Sequence, residues 1–254
     1  MTGEEVTPVV LTFNEGPNIG RCLERLSWAK RVIVVDSNSS DNTCEAARRF
    51  TNTDIIFRTF DSHTSQWNFG LSAADTEWIL ALDADYILPQ EFPSELSGIS
   101  PIGPQAAYFA AFRYLVFGKP LRSSLYPPRA VLFRRSRCCY VQDGHTQSLA
   151  IEGETGHLRS VIDHDDRKPL SRWLASQDKY AALEVDKLLS VPTRELRPQD
   201  RLRLTGWAAV PASLVYTLLA RGTLLDGWRG WYYAMQRMLA EMLLAMRLIE
   251  RRQP

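Results

Sequence analysis

Two aspartates, Asp83 and Asp85, follow an apolar run in the stretch Glu77–Tyr86 (EWILALDADY). A continuous apolar run of this kind is typical of a strand that is buried on both faces. Carboxylates one residue apart repel each other unless a cation or hydrogen bonds offset their charge. Mg²⁺ and Mn²⁺ prefer oxygen ligands and keep coordination sites for substrate phosphates. The pair therefore predicts a site that joins a metal ion to a diphosphate, whereas an isolated Asp-Ala-Asp also fits a solvated turn.

Further polar residues follow two earlier apolar runs of the same type. Asn14 and Glu15 come after Val6–Phe13, and Asp36 ends the run Arg31–Asp36 (RVIVVD). Segments with helical spacing of apolar residues separate the runs, and this alternation predicts a mostly parallel sheet with right-handed crossovers. Ligands bind beyond the carboxyl ends of such strands. The polar residues are therefore predicted to form one site at one edge of the sheet.

The composition is that of a globular chain with one large domain, or with one domain and an appendage: 254 residues, 45% hydrophobic and 23% charged. A net charge of +1 argues against a dedicated nucleic-acid-binding protein. The four cysteines lack the spacing of a zinc site, and reduced thiols predict a cytoplasmic location. The first residues carry no basic and apolar segments of the kind that form a secretory signal, which agrees with that location.

The last part of the chain, residues 194–254, combines apolar blocks with ten arginines, no lysine and five acidic residues. Two interpretations stay open. Helices rich in Trp and Arg can lie in a bilayer interface, here at the inner face of the cytoplasmic membrane. Alternatively, they form an appendage that packs on the first domain or on a second subunit. The longest apolar tract, Trp207–Ala220, is shorter than the roughly 20 residues of a membrane span.

Four segments taken together resemble the family 2 glycosyltransferases of the GT-A fold, in the branch that includes the lipopolysaccharide core β-glycosyltransferases of bacteria. They are Thr12–Glu15 (TFNE), Val32–Thr43 (VIVVDSNSSDNT), Gln66–Asp85 (QWNFGLSAADTEWILALDAD) and Gly222–Gly230 (GTLLDGWRG). The resemblance implies an α/β, Rossmann-like GT-A fold, with a mostly parallel sheet flanked by helices. It implies a catalytic domain over residues 1–190, whose halves 1–90 and 91–190 bind nucleotide and acceptor, and a helical appendage over 191–254.

The resemblance also implies a role for each site residue. The implied nucleotide-binding residues are Thr12, Asn14, Glu15, Asp36, Asp83 and, as a loop glycine before the Asp-Ala-Asp strand, Gly70. Asp85 is implied to be the direct ligand of Mn²⁺ or Mg²⁺, with Asp83 and the later His164 as further ligands. Asp143 is implied to be the catalytic base.

Three positions depart from the family pattern: Gln142 stands where Glu is common, His145-Thr146 where His-Glu is frequent, and Tyr86 where an acidic residue is usual. Asp143 before glycine is also a turn dipeptide.

The resemblance implies inverting transfer of a sugar from a nucleotide-diphosphate donor, with a UDP-sugar expected, to a glycan or glycolipid of the cell envelope. The alternatives are a sugar-nucleotide-binding or membrane scaffold protein without activity, and a nucleotidyltransferase, which usually has a Gly-rich basic loop after its first strand.

Overall fold

The computed structural model describes residues 1–143 and 146–253, without the side chains of Asp143 and Thr146. The chain forms two compact units, one of residues 1–117 and 126–167 and the other of residues 118–125 and 168–254. This division falls at 167, whereas the sequence prediction placed the end of the first domain at 190. The functional assignment of the two parts stays a prediction.

The first unit contains ten of the strands described here and four of the helices. The strands of the chain are β1 Val6–Thr12, β2 Val32–Asp36, β3 Thr53–Phe57, β4 Trp78–Asp83, β5 Tyr86–Ile87, β6 Gln105–Val116, β7 Lys119–Pro120, β8 Arg129–Arg134, β9 Cys138–Asp143, β10 Thr146–Ile151 and β11 Glu154–His164. Of these, β7 belongs to the second unit. The helices of the first unit are α1 Ile19–Glu24, α2 Thr43–Ala47, α3 His63–Ser72 and α4 Phe92–Ser97.

Within the described part of the first unit, eight strands form one sheet in the order β3-β2-β1-β4-β8-β6-β11-β5. Strands β3, β2, β1 and β4 are parallel, as the alternation of strands and helices predicts. Strand β8 runs antiparallel to both β4 and β6. The first residue of β8 therefore lies at the same sheet edge as the carboxyl ends of β1, β2 and β4.

The central strands are buried on both faces because alternate residues point to opposite sides of the sheet. Val10 and Leu80 belong to one apolar cluster, and Val9 and Ile79 to another. Helix α3 covers the second face through Trp67. These two layers hold the carboxyl ends of β1, β2 and β4 side by side, which is the arrangement that the sequence predicts.

The second unit contains helices α5 Leu170–Ser190, α6 Pro198–Arg203, α7 Ala209–Val215 and α8 Trp228–Arg252. Helices α5 and α8 share an apolar cluster that includes Val185 and Leu248. Helix α6 begins at Pro198, a first-turn position where the missing N–H of proline costs nothing. Within the described residues, no helix is long and apolar enough to cross a membrane.

Candidate active site

The carboxyl ends of β1 and β2 place Thr12 and Asp36 next to each other, since these residues are partners in the parallel register. Asp36 is fully buried, and both of its carboxylate oxygens accept hydrogen bonds from Ser39. The backbone N–H of Ser39 donates over 2.8 Å and its hydroxyl over 2.5 Å. Asp36 therefore anchors the loop that follows β2.

Asn14 links the loop after β1 to the loop after β2. Its backbone has a φ of 54°, in the left-handed region that asparagine tolerates better than most residues. Its side-chain oxygen accepts a hydrogen bond from the backbone N–H of Ser40 over 2.6 Å. The next residue, Glu15, donates its backbone N–H to the Thr43 hydroxyl over 2.7 Å. The two loops therefore form one connected surface at the predicted nucleotide end.

The predicted metal ligands Asp85 and His164 lie side by side, although they are 79 residues apart in sequence. The imidazole Nε2 of His164 is 3.2 Å from Oδ2 of Asp85. Burial lowers the pKa of His164, but the charge and hydrogen bond of Asp85 outweigh burial, so the net pKa is raised. Strand β11 ends at His164, which pairs with Tyr86 of the short strand β5, and this pairing brings His164 to Asp85.

A carboxylate and an imidazole are a donor set that fits a divalent cation of the Mn²⁺ type. The His164 Nδ1 atom is buried and has no hydrogen-bond partner among the described residues. The structure groups no three or more His, Cys, Asp or Glu side chains around one metal position within the described residues. Asp83 ends β4, two residues before Asp85, and is partly exposed. A cation bound here would therefore take its remaining ligands from the substrate diphosphate and from water.

Three tyrosines surround the His164 ring, an arrangement that the sequence analysis did not predict. The ring centroids of Tyr86, Tyr114 and Tyr126 lie 5.4, 4.9 and 4.7 Å from that of His164. The hydroxyls of Tyr86 and Tyr126 are hydrogen-bonded to each other. Burial, with the charge of Asp83, raises the pKa of Tyr86, so its hydroxyl stays protonated at neutral pH. Tyr86, a departure from the family pattern, therefore belongs to the wall of the site.

An ion-pair network centred on the buried carboxylate of Asp165 lies next to Asp85. Asp165 accepts hydrogen bonds from Nη1 of Arg21 over 2.5 Å and from Nη2 of Arg167 over 2.8 Å. The backbone N–H of Asp165 donates to the carbonyl oxygen of Asp85 over 3.0 Å. Asp165 and Arg21 are 144 residues apart, and no sequence motif connects them. These contacts stabilise the backbone at Asp85 and at His164, which directly precedes Asp165.

Two predicted site residues remain, Gly70 and Asp143. Gly70 lies in a different element from the one predicted, and the Asp143 side chain lies outside the described residues. Gly70 lies in helix α3, so the expectation of a loop glycine is wrong. A Cβ at Gly70 would lie 2.6 Å from Val9 Cγ1, so packing explains this glycine, and its nucleotide contact stays a prediction. Asp143 ends β9, and its side chain, like residues Gly144 and His145, lies outside the described residues. Its role as the base stays a prediction.

Comparison with known proteins gives the same family as the sequence motifs. The family described as Glycosyl transferase family 2 matches residues 8–137, just over half of the chain. An uncharacterized glycosyltransferase of Rickettsia felis is 31% identical over 42% of this chain, a segment that spans only 38% of that relative. The lipopolysaccharide core biosynthesis glycosyltransferase LpsC of Rhizobium meliloti is 22% identical over 70% of this chain and 69% of its own length.

Solved structures show the same fold at low sequence identity. A mannosyltransferase of Pyrobaculum calidifontis, solved with GDP-Man and Mn²⁺, aligns with a TM-score of 0.56 and 16% identity over 98% of this chain and 88% of its own. TarS of S. aureus aligns with a TM-score of 0.50 and 12% identity over 98% of this chain and 92% of its own. The α/β fold with a mostly parallel sheet is therefore confirmed as GT-A-like. With its family matched over residues 8–137, the chain belongs to glycosyl transferase family 2.

Proposed function

We propose that this protein is a metal-dependent, inverting glycosyltransferase that uses a nucleotide-diphospho-sugar, with a UDP-sugar as the expected donor. The observation that carries the proposal is the meeting of Asp85 and His164 beside Asp83, at the edge where β1, β2 and β4 end. Family membership supports the reaction class. The similarity to LpsC supports an acceptor hydroxyl on lipopolysaccharide or another cell-envelope glycan or glycolipid.

In this proposal the substrate lies across the ends of neighbouring strands. Thr12, Asn14, Glu15 and Asp36 hold the nucleoside, with Gly70 packed beneath them, and Asp83 faces the diphosphate. Asp85, with Asp83 and His164, would hold a divalent cation, whose positive charge would stabilise the leaving diphosphate. Asp143 accepts the proton of the acceptor hydroxyl as its oxygen attacks the anomeric carbon. The bond from that carbon to the phosphate oxygen breaks in the same displacement, which inverts the anomeric configuration without a covalent enzyme intermediate.

The experiment that tests this proposal measures nucleotide release from a panel of UDP-sugars and GDP-mannose with Mn²⁺, Mg²⁺ or EDTA. The wild type is compared with Asp85→Asn and with the control Asp75→Asn, whose side chain is 89% exposed on the same unit. Metal-dependent release that is lost only in Asp85→Asn supports the proposal. Release that is unaffected by EDTA and by Asp85→Asn would contradict the assigned metal site.

Two other functions give different results in the same assay. A sugar-nucleotide-binding protein without activity would bind UDP or GDP but release nothing from any donor, with or without a glycan acceptor. Asp143→Asn would then change nothing, whereas in the proposed enzyme it abolishes turnover and retains nucleotide affinity. A nucleotidyltransferase would release pyrophosphate from nucleoside triphosphates, which the proposed enzyme leaves intact.

We also propose that the second unit binds the anionic inner face of the cytoplasmic membrane. Large apolar side chains are exposed where the chain turns between α7 and α8, including Leu219 at 65% and Leu225 at 68%. The acidic side chain in this turn, Asp226, is only 9% exposed because it lies against Arg122, whereas Arg221 is exposed. An apolar turn whose exposed charge is positive fits an anionic lipid surface.

Sedimentation with phosphatidylcholine vesicles, with and without phosphatidylglycerol, tests this second proposal. Leu219→Ser combined with Leu225→Ser is expected to abolish sedimentation with the anionic vesicles. The control is Leu183→Ser on α5, which replaces a leucine that is 50% exposed outside the turn. Equal sedimentation of all variants would refute the proposal, and self-association of the wild type without lipid would favour a second subunit as the partner.

A further inference from the structure

Three arginines of the first unit, Arg129, Arg134 and Arg135, lie in β8 or directly after it, and their surroundings differ. Arg134 donates hydrogen bonds to the carbonyl oxygens of residues 101, 103 and 105, and its guanidinium stacks 4.7 Å from the centre of the Trp78 ring. Arg135 donates to the carbonyl oxygen of residue 74. Both guanidinium groups are therefore occupied by the protein's own backbone, and Arg129 is left as the candidate for binding an anion.

Arg129 lies at the edge of the sheet that carries the candidate active site. Strands β4 and β8 pair antiparallel, with Trp78 opposite Arg134 and Leu80 opposite Leu132. Arg129 is the first residue of β8, so it lies at the end of the sheet where β4 ends at Asp83. Arg129 and Asp83 therefore occupy the same edge of the sheet, on neighbouring strands.

The Arg129 guanidinium is held in place by an aromatic ring and not by a carboxylate. It lies 4.9 Å from the centre of the Tyr126 ring, within the range of a cation–π contact. Tyr126 is itself hydrogen-bonded to Tyr86 in the wall around His164. No described residue forms an ion pair or side-chain hydrogen bond with Arg129, and the residue is partly buried. A partly desolvated cation of this kind is stabilised when an anion binds it.

The charges of Arg129 and Asp83 both influence the pKa of one histidine, His63. Burial lowers the pKa of His63, the first residue of α3; the charge of Asp83 raises it, and the charge of Arg129 lowers it further. Both charges therefore reach one point above the sheet. The sheet order β2-β1-β4-β8 places Arg129 one strand beyond Asp83, on the side away from Thr12 and Asp36. With neighbouring strands about 5 Å apart, the guanidinium lies past the predicted nucleoside end.

We propose that Arg129 is a substrate-binding residue that holds an oxyanion, either the distal phosphate of the donor or an acidic group of the acceptor. The identity of the ligand rests on the proposed function; the binding of an oxyanion does not. A guanidinium can bind phosphate or carboxylate through two parallel hydrogen bonds, which an ammonium group cannot reproduce. An acidic acceptor held here would lie on the opposite side of Asp83 from the nucleoside.

The experiment compares wild type with Arg129→Gln and Arg129→Lys, and uses Arg48→Gln as the control. Arg48 is an exposed arginine at the end of α2, which begins at the carboxyl end of β2 and so carries Arg48 away from the site edge. Calorimetry measures the affinity for UDP, GDP and uridine with Mn²⁺, and the affinity for inorganic phosphate before and after saturation with nucleotide. Circular dichroism confirms that each variant is folded.

The two sources of the oxyanion give different results. If Arg129 binds the donor, Arg129→Gln lowers the affinity for UDP or GDP about tenfold and leaves that for uridine unchanged. If it binds the acceptor, nucleotide affinity is unchanged, and phosphate binding to the nucleotide-saturated protein is lost in Arg129→Gln and weakened in Arg129→Lys. Equal affinities for nucleotide and phosphate in wild type and Arg129→Gln overturn the inference. A wild type that binds phosphate through Arg129 but no nucleotide contradicts the proposed function alone.

Discussion

Replacing Asp165 by asparagine is expected to destabilise the first unit by about 3 kcal/mol, because it removes the shared carboxylate of a buried network. The Asp165 side chain is 4% exposed and lies 2.5 Å from Arg21 and 2.8 Å from Arg167. At an effective dielectric constant of about 20, each attraction is about 4 kcal/mol for charges about 4 Å apart.

The net loss is smaller than the sum of the two attractions for two physical reasons. The neutral asparagine avoids the cost of burying a carboxylate, and breaking a buried pair therefore costs about 3–5 kcal/mol overall. Arg167 is 49% exposed, so solvent already screens its share of the attraction. Arg21 is 27% exposed and loses its counter-charge, which accounts for most of the expected destabilisation.

The neighbouring pair of Asp163 and Arg113 provides a matched control two residues away. Its geometry is as good, with Nε of Arg113 2.7 Å from Asp163, but the two side chains are 23% and 50% exposed. Asp163→Asn is therefore expected to cost about 0.5 kcal/mol. Urea unfolding at pH 7, followed by tryptophan fluorescence, measures both variants. If Asp163→Asn destabilises the protein as much as Asp165→Asn, burial does not decide the strength of these pairs and the reasoning fails.

Three further predictions concern packing, pH and thiol reactivity. Gly70→Ala is expected to lower stability by about 1–3 kcal/mol in thermal unfolding, because the added Cβ would crowd the core. Gly20→Ala is the control, because the space around Gly20 is open, and it should not destabilise the protein. Burial raises the pKa of Glu95, but hydrogen bonds from residues 159 and 160 outweigh burial and lower it below 4.5. The ionised carboxylate therefore stabilises the folded protein above the pKa that Glu95 has in the unfolded chain, and this stabilisation is lost as the pH falls through the folded pKa. Glu95→Gln should be less stable than wild type at pH 7 and equally stable below the folded pKa. A difference in stability that persists below the folded pKa would refute this prediction. Thiol labelling at pH 8 should modify Cys139, which is exposed, and leave Cys138 unmodified until unfolding, because burial raises the pKa of Cys138 to about 11.

The parts of the fold that follow from sequence are those decided by local pattern. The runs Arg31–Asp36 and Glu77–Leu82 are continuous and apolar, and both form central strands, because parallel strands are buried on both faces. Asp85 can be named from sequence as a candidate metal ligand because its spacing from Asp83 is local and unusual at the end of such a strand; its role stays a prediction.

The parts that did not follow from sequence depend on pairing between distant segments. Asp165 and Arg21 are separated by 144 residues, and neither has a local pattern that predicts the other. In the tyrosine wall, Tyr86 and Tyr114 lie next to His164 because β5 and β6 both pair with β11. The two-residue strand β5 has no periodicity to detect. The three arginines of β8 and its following turn look alike in sequence and differ only in whether a backbone carbonyl lies within reach.

The segment 118–125 has a consequence for synthesis on the ribosome. It belongs to the helical second unit: the Leu125 N–H donates to the Tyr233 hydroxyl over 2.9 Å, and the Arg122 N–H donates to Asp226. Leu125 and Tyr233 are 108 residues apart, so translation at 5–20 residues per second leaves the segment without these partners for about 5–20 s. All residues of the first unit have been made once the ribosome reaches Arg167, but the segment 118–125 still lacks its hydrogen-bond partners at that point. A chain ended at Arg167 would keep 118–125 and lose its partners, so the two units cannot be separated by a single cut.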